Sequence, residues 1–202
     1  MADYLCFEVS LRAIKPRIWR RFLLPRRATF LALHHAIQAC GWQDYHLWAF
    51  TSPHDREPIA GPATDMESDP PPDAGKVKLA NYFIEKGDRC DYLYDFGDGW
   101  EHQVVFKGEV ANAEDFGRRL LGGARRFPPE DCGGVPGYDR IVEVVKTGRD
   151  PWDDAEGLAE WIGDWTPDSF SFMTEAKQFE IVATVPRGRR GAKGRRQSAA
   201  EG

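Results

Sequence analysis

The sequence predicts an α+β fold, with antiparallel hairpins packed against helices that gather towards the C-terminal half. Three observations carry this. Leu5, Phe7, Val9 and Leu11 alternate with Tyr4, Cys6, Glu8 and Ser10 over residues 4–14, the period of a strand with one face on a core. Apolar residues recur at helical spacing over 29–40, 137–147 and 153–163, without the regular strand–helix alternation of a doubly wound sheet. Between them lies YLYDFGDGWEHQVVF, residues 92–106, two aromatic strands separated by Gly97, Asp98 and Gly99.

Each element follows from local chemistry. Pro16 ends the first strand, and RIWRRFLL (17–24) returns as its hairpin partner. Thr29 caps a helix that runs to Cys40 with Phe30, Leu33, Ile37 and Cys40 inward, and Gly41 stops it. HLWAFTS (46–52) reads as a third strand. Residues 53–76 hold six of the fourteen prolines and are expected to form a long mobile excursion within one domain spanning 4–185, with strands resuming near Val77. Residues 112–121 read as a short helix and 126–139 as a turn-rich loop. Two helices follow, with Tyr138, Ile141, Val142 and Val145 inward on the first and Leu158, Trp161 and Ile162 inward on the second. Residues 170–185 fit a helix or an edge strand. The basic segment 187–202 has nothing to bury and is expected to be disordered.

Composition bounds the function classes. Seven Trp, twelve Phe and six Tyr supply bulk for a sizeable core in a chain of 202 residues. No apolar run is long enough to span a membrane, and the start MADYLCFEVSL lacks the pattern of a signal peptide. Cys6, Cys40, Cys90 and Cys132 match neither a zinc spacing nor a compact disulfide framework, so reduced thiols and a cytoplasmic location are expected.

The net charge of −5 hides strong polarity. Val9 to Gly41 carries seven cations and no acid, and 150–168 carries seven acids and no cation. The tail adds Arg187, Arg189, Arg190, Lys193, Arg195 and Arg196; without residues 187–202 the body carries 21 cations against 31 acids. An acidic body argues against a broad nucleic-acid surface. A basic edge at Arg17, Arg20, Arg21, Arg26 and Arg27, with the tail, supplies a narrower and salt-sensitive one.

The aromatic hairpin concentrates the ionisable groups, and two registers are open. A three-residue loop at Gly97–Gly99 puts Asp95 opposite Glu101, a repelling pair that asks for a cation, either an arginine or a divalent metal. It also gives Tyr92, Tyr94, Phe96, Trp100, His102, Val104 and Phe106 one common face. A tight turn at Asp98-Gly99 instead sets Asp95 opposite His102, an orienting carboxylate–imidazole pair. Candidate catalytic residues are therefore Asp95, Asp98, Glu101 and His102, and candidate metal ligands are Asp95, Glu101 and His46. Equally, Asp98 between glycines is what a turn requires whatever the function.

Other residues carry less. His34 borders the inward face of its helix as a core histidine, and it shares a metal cluster with His46 and His102 only without support from any spacing rule. Arg20 sits on the apolar face of its strand and needs a buried partner, for which Asp95 and Glu101 are candidates. Cys132 before Gly133-Gly134 has the place of a helix-terminal thiolate but none of the surroundings of a catalytic elbow. The glycine pair lacks the lysine of a phosphate loop.

KPRIWRRFLLP (15–25), LHHAIQACGWQDYHLWAF (33–50), YLYDFGDGWEHQVVF (92–106) and FPPEDCGGVPGYD (127–139) together resemble, in order, the signature stretches of the Ri plasmid ORF-3-like family. The resemblance covers about 4–185 and implies an α/β roll. It implies bacterial and archaeal relatives, some encoded beside plasmid or transposon genes and some labelled resolvases, with no established catalytic residues to carry over. Where relatives often have His-Leu-His, this chain has His46-Leu47-Trp48, which weakens a metal site that needs the second histidine. Neither the length nor any arginine-rich constellation with a nucleophile suits a serine or tyrosine recombinase.

Three functions follow as expectations. The first is a non-catalytic nucleic-acid-binding or adaptor module of a mobile element, using the basic edge and tail. The second is a metal-assisted hydrolase built on the Asp/Glu/His hairpin. The third is a protein-interaction module presenting the acidic 150–168 face with Trp152, Trp161 and Trp165.

Overall fold

The computed structural model describes residues 2–63 and 70–182. The basic tail, with Arg187, Arg189, Arg190, Arg195 and Arg196, lies outside the described residues, as do positions 64–69 of the proline-rich stretch.

Strand β1 (Ala2–Leu11) is the middle of the molecule, pairing antiparallel with β2 (Trp19–Pro25) on one side and β6 (Trp100–Asn112) on the other. The alternation read from its sequence holds: Leu5, Phe7, Val9 and Leu11 enter the main core. The opposite face is also covered. Tyr4 and Cys6 form a small second cluster with Leu23 and Phe116, and Glu8 is held by Arg17 at 2.7 Å and Arg21 at 2.5 Å.

Around this centre run β3 (Trp48–Thr51), β4 (Pro58–Ala60), β5 (Arg89–Tyr94), β7 (Phe116–Ala124) and β8 (Ile181–Val182). The sheet has the order β4-β3-β5-β6-β1-β2-β7-β8, with every neighbouring pair antiparallel. Helix α1 (Phe30–Gln38) buries Phe30, Leu33, Ala36 and Ile37 against one face of this sheet, in a core shared with Phe7, Phe50, Tyr92 and Phe106. The expected α+β class is what the chain adopts.

Four expectations about elements change. Residues 112–121, expected as a helix, end β6 and begin β7, because Phe116 and Leu120 alternate into buried positions once β7 lies along β2. Propensity yields there to cross-strand pairing. The proline-rich stretch contributes β4, and its far side returns through a hydrogen bond from the Gly61 N–H to the Pro72 carbonyl at 3.0 Å. Strands do not resume at Val77; a single helical turn, α2 (Leu79–Tyr82), comes before β5. The ambiguous C-terminal stretch is both things, α5 (Phe172–Phe179) followed by the short β8.

Helices α3 (Gly134–Thr147) and α4 (Ala155–Ile162) fall where the periodicity puts them. Their inward sets shift slightly: Val144 is buried and Val145 exposed, and Trp161 is 52 % exposed while Trp165 is buried. Among the described residues no helix is long and apolar enough to cross a membrane.

Candidate metal centre

The hairpin forms neither expected register. Tyr94 faces Trp100, Leu93 faces Glu101 and Tyr92 faces His102, which leaves Asp95 to Gly99 as a five-residue loop. Asp95 takes a left-handed conformation (φ 54°), which Asp tolerates better than most residues. Its N–H donates to the Leu47 carbonyl at 2.9 Å, and its own carbonyl accepts from Gly99 N–H at 2.7 Å. Oδ1 accepts from the N–H groups of Gly97 (3.0 Å) and Asp98 (3.3 Å). Oδ2 is thereby left to turn towards His46.

The loop docks onto the start of α3. Asp98 Oδ2 accepts from Gly133 N–H at 3.0 Å, and a Cβ on Gly134 would lie 2.4 Å from the Asp98 carbonyl oxygen. Gly137 is equally constrained, since its Cβ would meet the Cys132 carbonyl at 1.6 Å. Only glycine permits this approach. The glycines of one signature stretch thus let the aromatic hairpin of another sit against it, and that contact carries Glu130 and Asp131 to Asp95.

His46 completes the arrangement. Its Nε2 lies 3.2 Å from Asp131 Oδ1, 3.6 Å from Asp95 Oδ2 and 3.9 Å from Glu130 Oε2. His46 Nε2 and Glu130 Oε2 are buried atoms with no hydrogen-bond partner. The other Glu130 oxygen is fully engaged, accepting from Gln43 N–H at 2.5 Å and the Tyr94 hydroxyl at 3.0 Å. Burial pushes the Glu130 carboxyl above its ordinary value, against the lowering effect of those two donors. Tyr45 donates to Asp131 Oδ2 at 2.9 Å.

Donors about 2.1 Å from one ion lie roughly 3–3.5 Å apart. The ligand atoms of His46, Asp95 and Asp131 all lie within 4.8 Å of one another, so small rotations bring one nitrogen and two oxygens around a common point. That mixed donor set suits Mn2+, Zn2+ or Fe2+. Glu130 sits just outside it.

The remaining expected site residues part company. Glu101 points to the other sheet face, where Arg56 lies 3.5 Å from it, so it joins neither Asp95 nor His46. His102 is wholly buried, 2.9 Å from the Trp100 carbonyl and 3.4 Å from Trp42 Nε1, and burial pulls its pKa down to about 4. Asp98 serves the loop–helix contact. Phe96 leaves the apolar face and is 53 % exposed. Burial pushes the Cys132 thiol up to about 12, the reverse of an activated nucleophile.

Arg20 does have an acidic partner, but it is the partly exposed Glu175 on α5, bound through two bonds of 2.7 and 2.8 Å. Its guanidinium lies 4.3 Å from the Phe170 ring centre and donates to the Trp19 and Ala124 carbonyls. It presents no charge to solvent. Arg26 pairs with Glu109, and Arg27 is exposed.

Two residues of the site, Glu130 and Asp131, were not singled out as ligands from the sequence. The signal was their position in a stretch whose glycines demand close backbone approach. Trp48 stacks on His34 at 3.8 Å. It therefore lies beside His34, apart from the three candidate ligands around His46.

An antiparallel sheet with one helical layer and a carboxylate–histidine cluster defines a small α+β protein with a candidate metal centre. The chain belongs to the plasmid pRiA4b ORF-3-like protein family, whose model matches residues 3–174. It is 34% identical over 173 residues to the uncharacterized protein y4hQ of Sinorhizobium fredii, covering 84% of this chain and 86% of that one. The crystal structure of MM3350, a protein of unknown function from Methanosarcina mazei, matches with a TM-score of 0.73 and 34% identity, covering 85% of this chain and 96% of that one.

Proposed function

We propose that the chain is a divalent-metal protein that holds its ion with His46, Asp95 and Asp131 and performs metal-assisted hydrolysis. One observation carries the reading: a buried imidazole nitrogen without a hydrogen-bond partner faces three carboxylates supplied by two separate segments, Asp95 on the hairpin loop and the neighbours Glu130 and Asp131 ahead of α3. An unpaired buried nitrogen is costly, and a cation shared with Asp95 and Asp131 relieves it. An ion held by His46, Asp95 and Asp131 would supply an acidified water. Glu130, whose Oε2 lies 3.9 Å from His46 Nε2 without a hydrogen-bond partner, would be placed to take a proton from that water and to return it to the leaving oxygen of an ester.

A nucleic-acid module has less support in the described residues, because Arg17, Arg20, Arg21 and Arg26 are each engaged by an acid. The unpaired cysteines, three of them buried, support a cytoplasmic setting.

Titration calorimetry with Mn2+ and Zn2+, beside elemental analysis of the purified protein, tests the assignment. One ion per chain is expected, lost in His46→Ala and Asp95→Asn and kept in Glu101→Ala. A wild-type chain that takes up neither ion, with His46 titrating as an imidazolium among the carboxylates, overturns it.

A further inference from the structure

Resting on the metal reading, we propose that the substrate of this site is a phosphate ester carrying a planar base, a nucleotide either free or at the end of a single strand. Glu130 and Asp131 line one part of an open groove of about 790 Å³ that continues to α4 and α5. Arg126 lines the same groove, half-buried, and among the described residues it takes part in no ion pair, whereas its neighbour Arg125 faces Asp168. Other arginines of the molecule, such as Arg20, Arg118, Arg119 and Arg140, are satisfied by carboxylates or carbonyls. A free fork lining the groove that Asp131 also lines would hold a phosphate from one side while an ion holds it from the other.

The groove also presents two aromatic faces. Tyr45 is 54 % exposed and Trp161 is 52 % exposed, and both line it. Large aromatic side chains left open to solvent beside a polar site are stacking platforms, and every nucleobase has a face to offer them. Gln43 and Gln178 add amides that pair with base or sugar edges.

The charge of the groove makes the inference specific. Glu130, Asp131 and Asp164 line it, and among the described residues Glu175 alone of its acids pairs with an arginine, Arg20. A polyanion is repelled until an ion occupies the His46 cluster. Binding by the groove is therefore metal-dependent, whereas any grip by the cations at 187–196 is not.

The test uses the full chain and three probes, inorganic phosphate, adenosine monophosphate and a short 5′-phosphorylated single strand, by calorimetry with Mn2+ and with EDTA. Adenosine monophosphate is expected to bind the Mn2+-loaded protein about tenfold more tightly than phosphate. EDTA should abolish this. Arg126→Gln should weaken both small probes about tenfold without changing Mn2+ uptake, because Arg126 is no ligand. Trp161→Ala should weaken adenosine monophosphate and the strand but leave phosphate unchanged. If the strand gains over the mononucleotide in a metal-dependent way, strand ends are the source; if it does not, free nucleotides are. Equal affinity for phosphate and adenosine monophosphate, or Arg126→Gln without effect, overturns the nucleotide assignment while the metal reading stands. Absence of Mn2+ uptake overturns both.

Discussion

Two histidines of one signature stretch face aspartates and end in opposite states. His34 is closed in: its Nδ1 lies 2.8 Å from the Tyr92 hydroxyl and its Nε2 lies 2.7 Å from Asp44 Oδ1. Gln38 donates to the same Tyr92 hydroxyl at 2.9 Å and accepts from Asp44 N–H at 2.9 Å, so the network returns on itself. His46, twelve residues later, has three carboxylates in reach and no hydrogen bond at Nε2. A polar group whose partners are all present is building material; convergent groups left unsatisfied are poised for something not yet there. The second state costs stability, which a fold tolerates where function needs it.

That comparison can be broken by mutation. His34→Ala should lose about 4 kcal/mol in urea unfolding, because it empties a buried aromatic site and strands Tyr92 and Asp44. His46→Ala should stay within about 1 kcal/mol of wild type. Similar losses in both would mean that His46 is structural too.

Acid should sharpen it next. Burial pulls His34 and His102 down to about 4, so both are neutral in the fold, whereas the unfolded chain binds protons on them below about 6.5. The unfolded state then holds more protons between those values, so stability falls as pH drops from 6.5 to 4, by roughly 3 kcal/mol per histidine. Replacing His102 by Gln should flatten part of this slope in pH-dependent denaturation; an unchanged slope would remove His102 from the account.

Ligand linkage gives a smaller effect. At a hundredfold excess over its Kd, Mn2+ should add about 2.7 kcal/mol to wild type and to Glu101→Ala, and nothing to Asp95→Asn. Thermal melts with and without the ion read this directly. The smallest expected change is that of Asp131→Asn without metal, within about 0.5 kcal/mol, because its carboxylate is largely exposed. With metal, it should lose most of the Mn2+ stabilisation; keeping it would exclude Asp131 as a ligand.

Much of this protein was legible in its sequence. The period of β1, the helices around Leu33, Ile141 and Leu158 and the core place of His34 all follow from neighbours a few residues away. Helical and strand periods are local properties, and turn chemistry marks Asp98 and Gly99 as part of a turn in either register. The sequence also indicated that Arg20, a cation on an apolar strand face, needs an acidic partner.

Tertiary structure decided which acid. Glu175 lies 155 residues from Arg20, and Glu130 lies 87 residues from the Gln43 N–H it accepts from. No local pattern chooses between such partners, because the choice is made by how whole elements close on one another. The hairpin register was settled in the same way. Leu47 claims the Asp95 N–H from a neighbouring strand end, and Gly134 lets the loop rest on α3, so the turn opens to five residues. That opening moves Asp95 off the ladder, away from Glu101 and His102, and delivers it to His46 and Asp131.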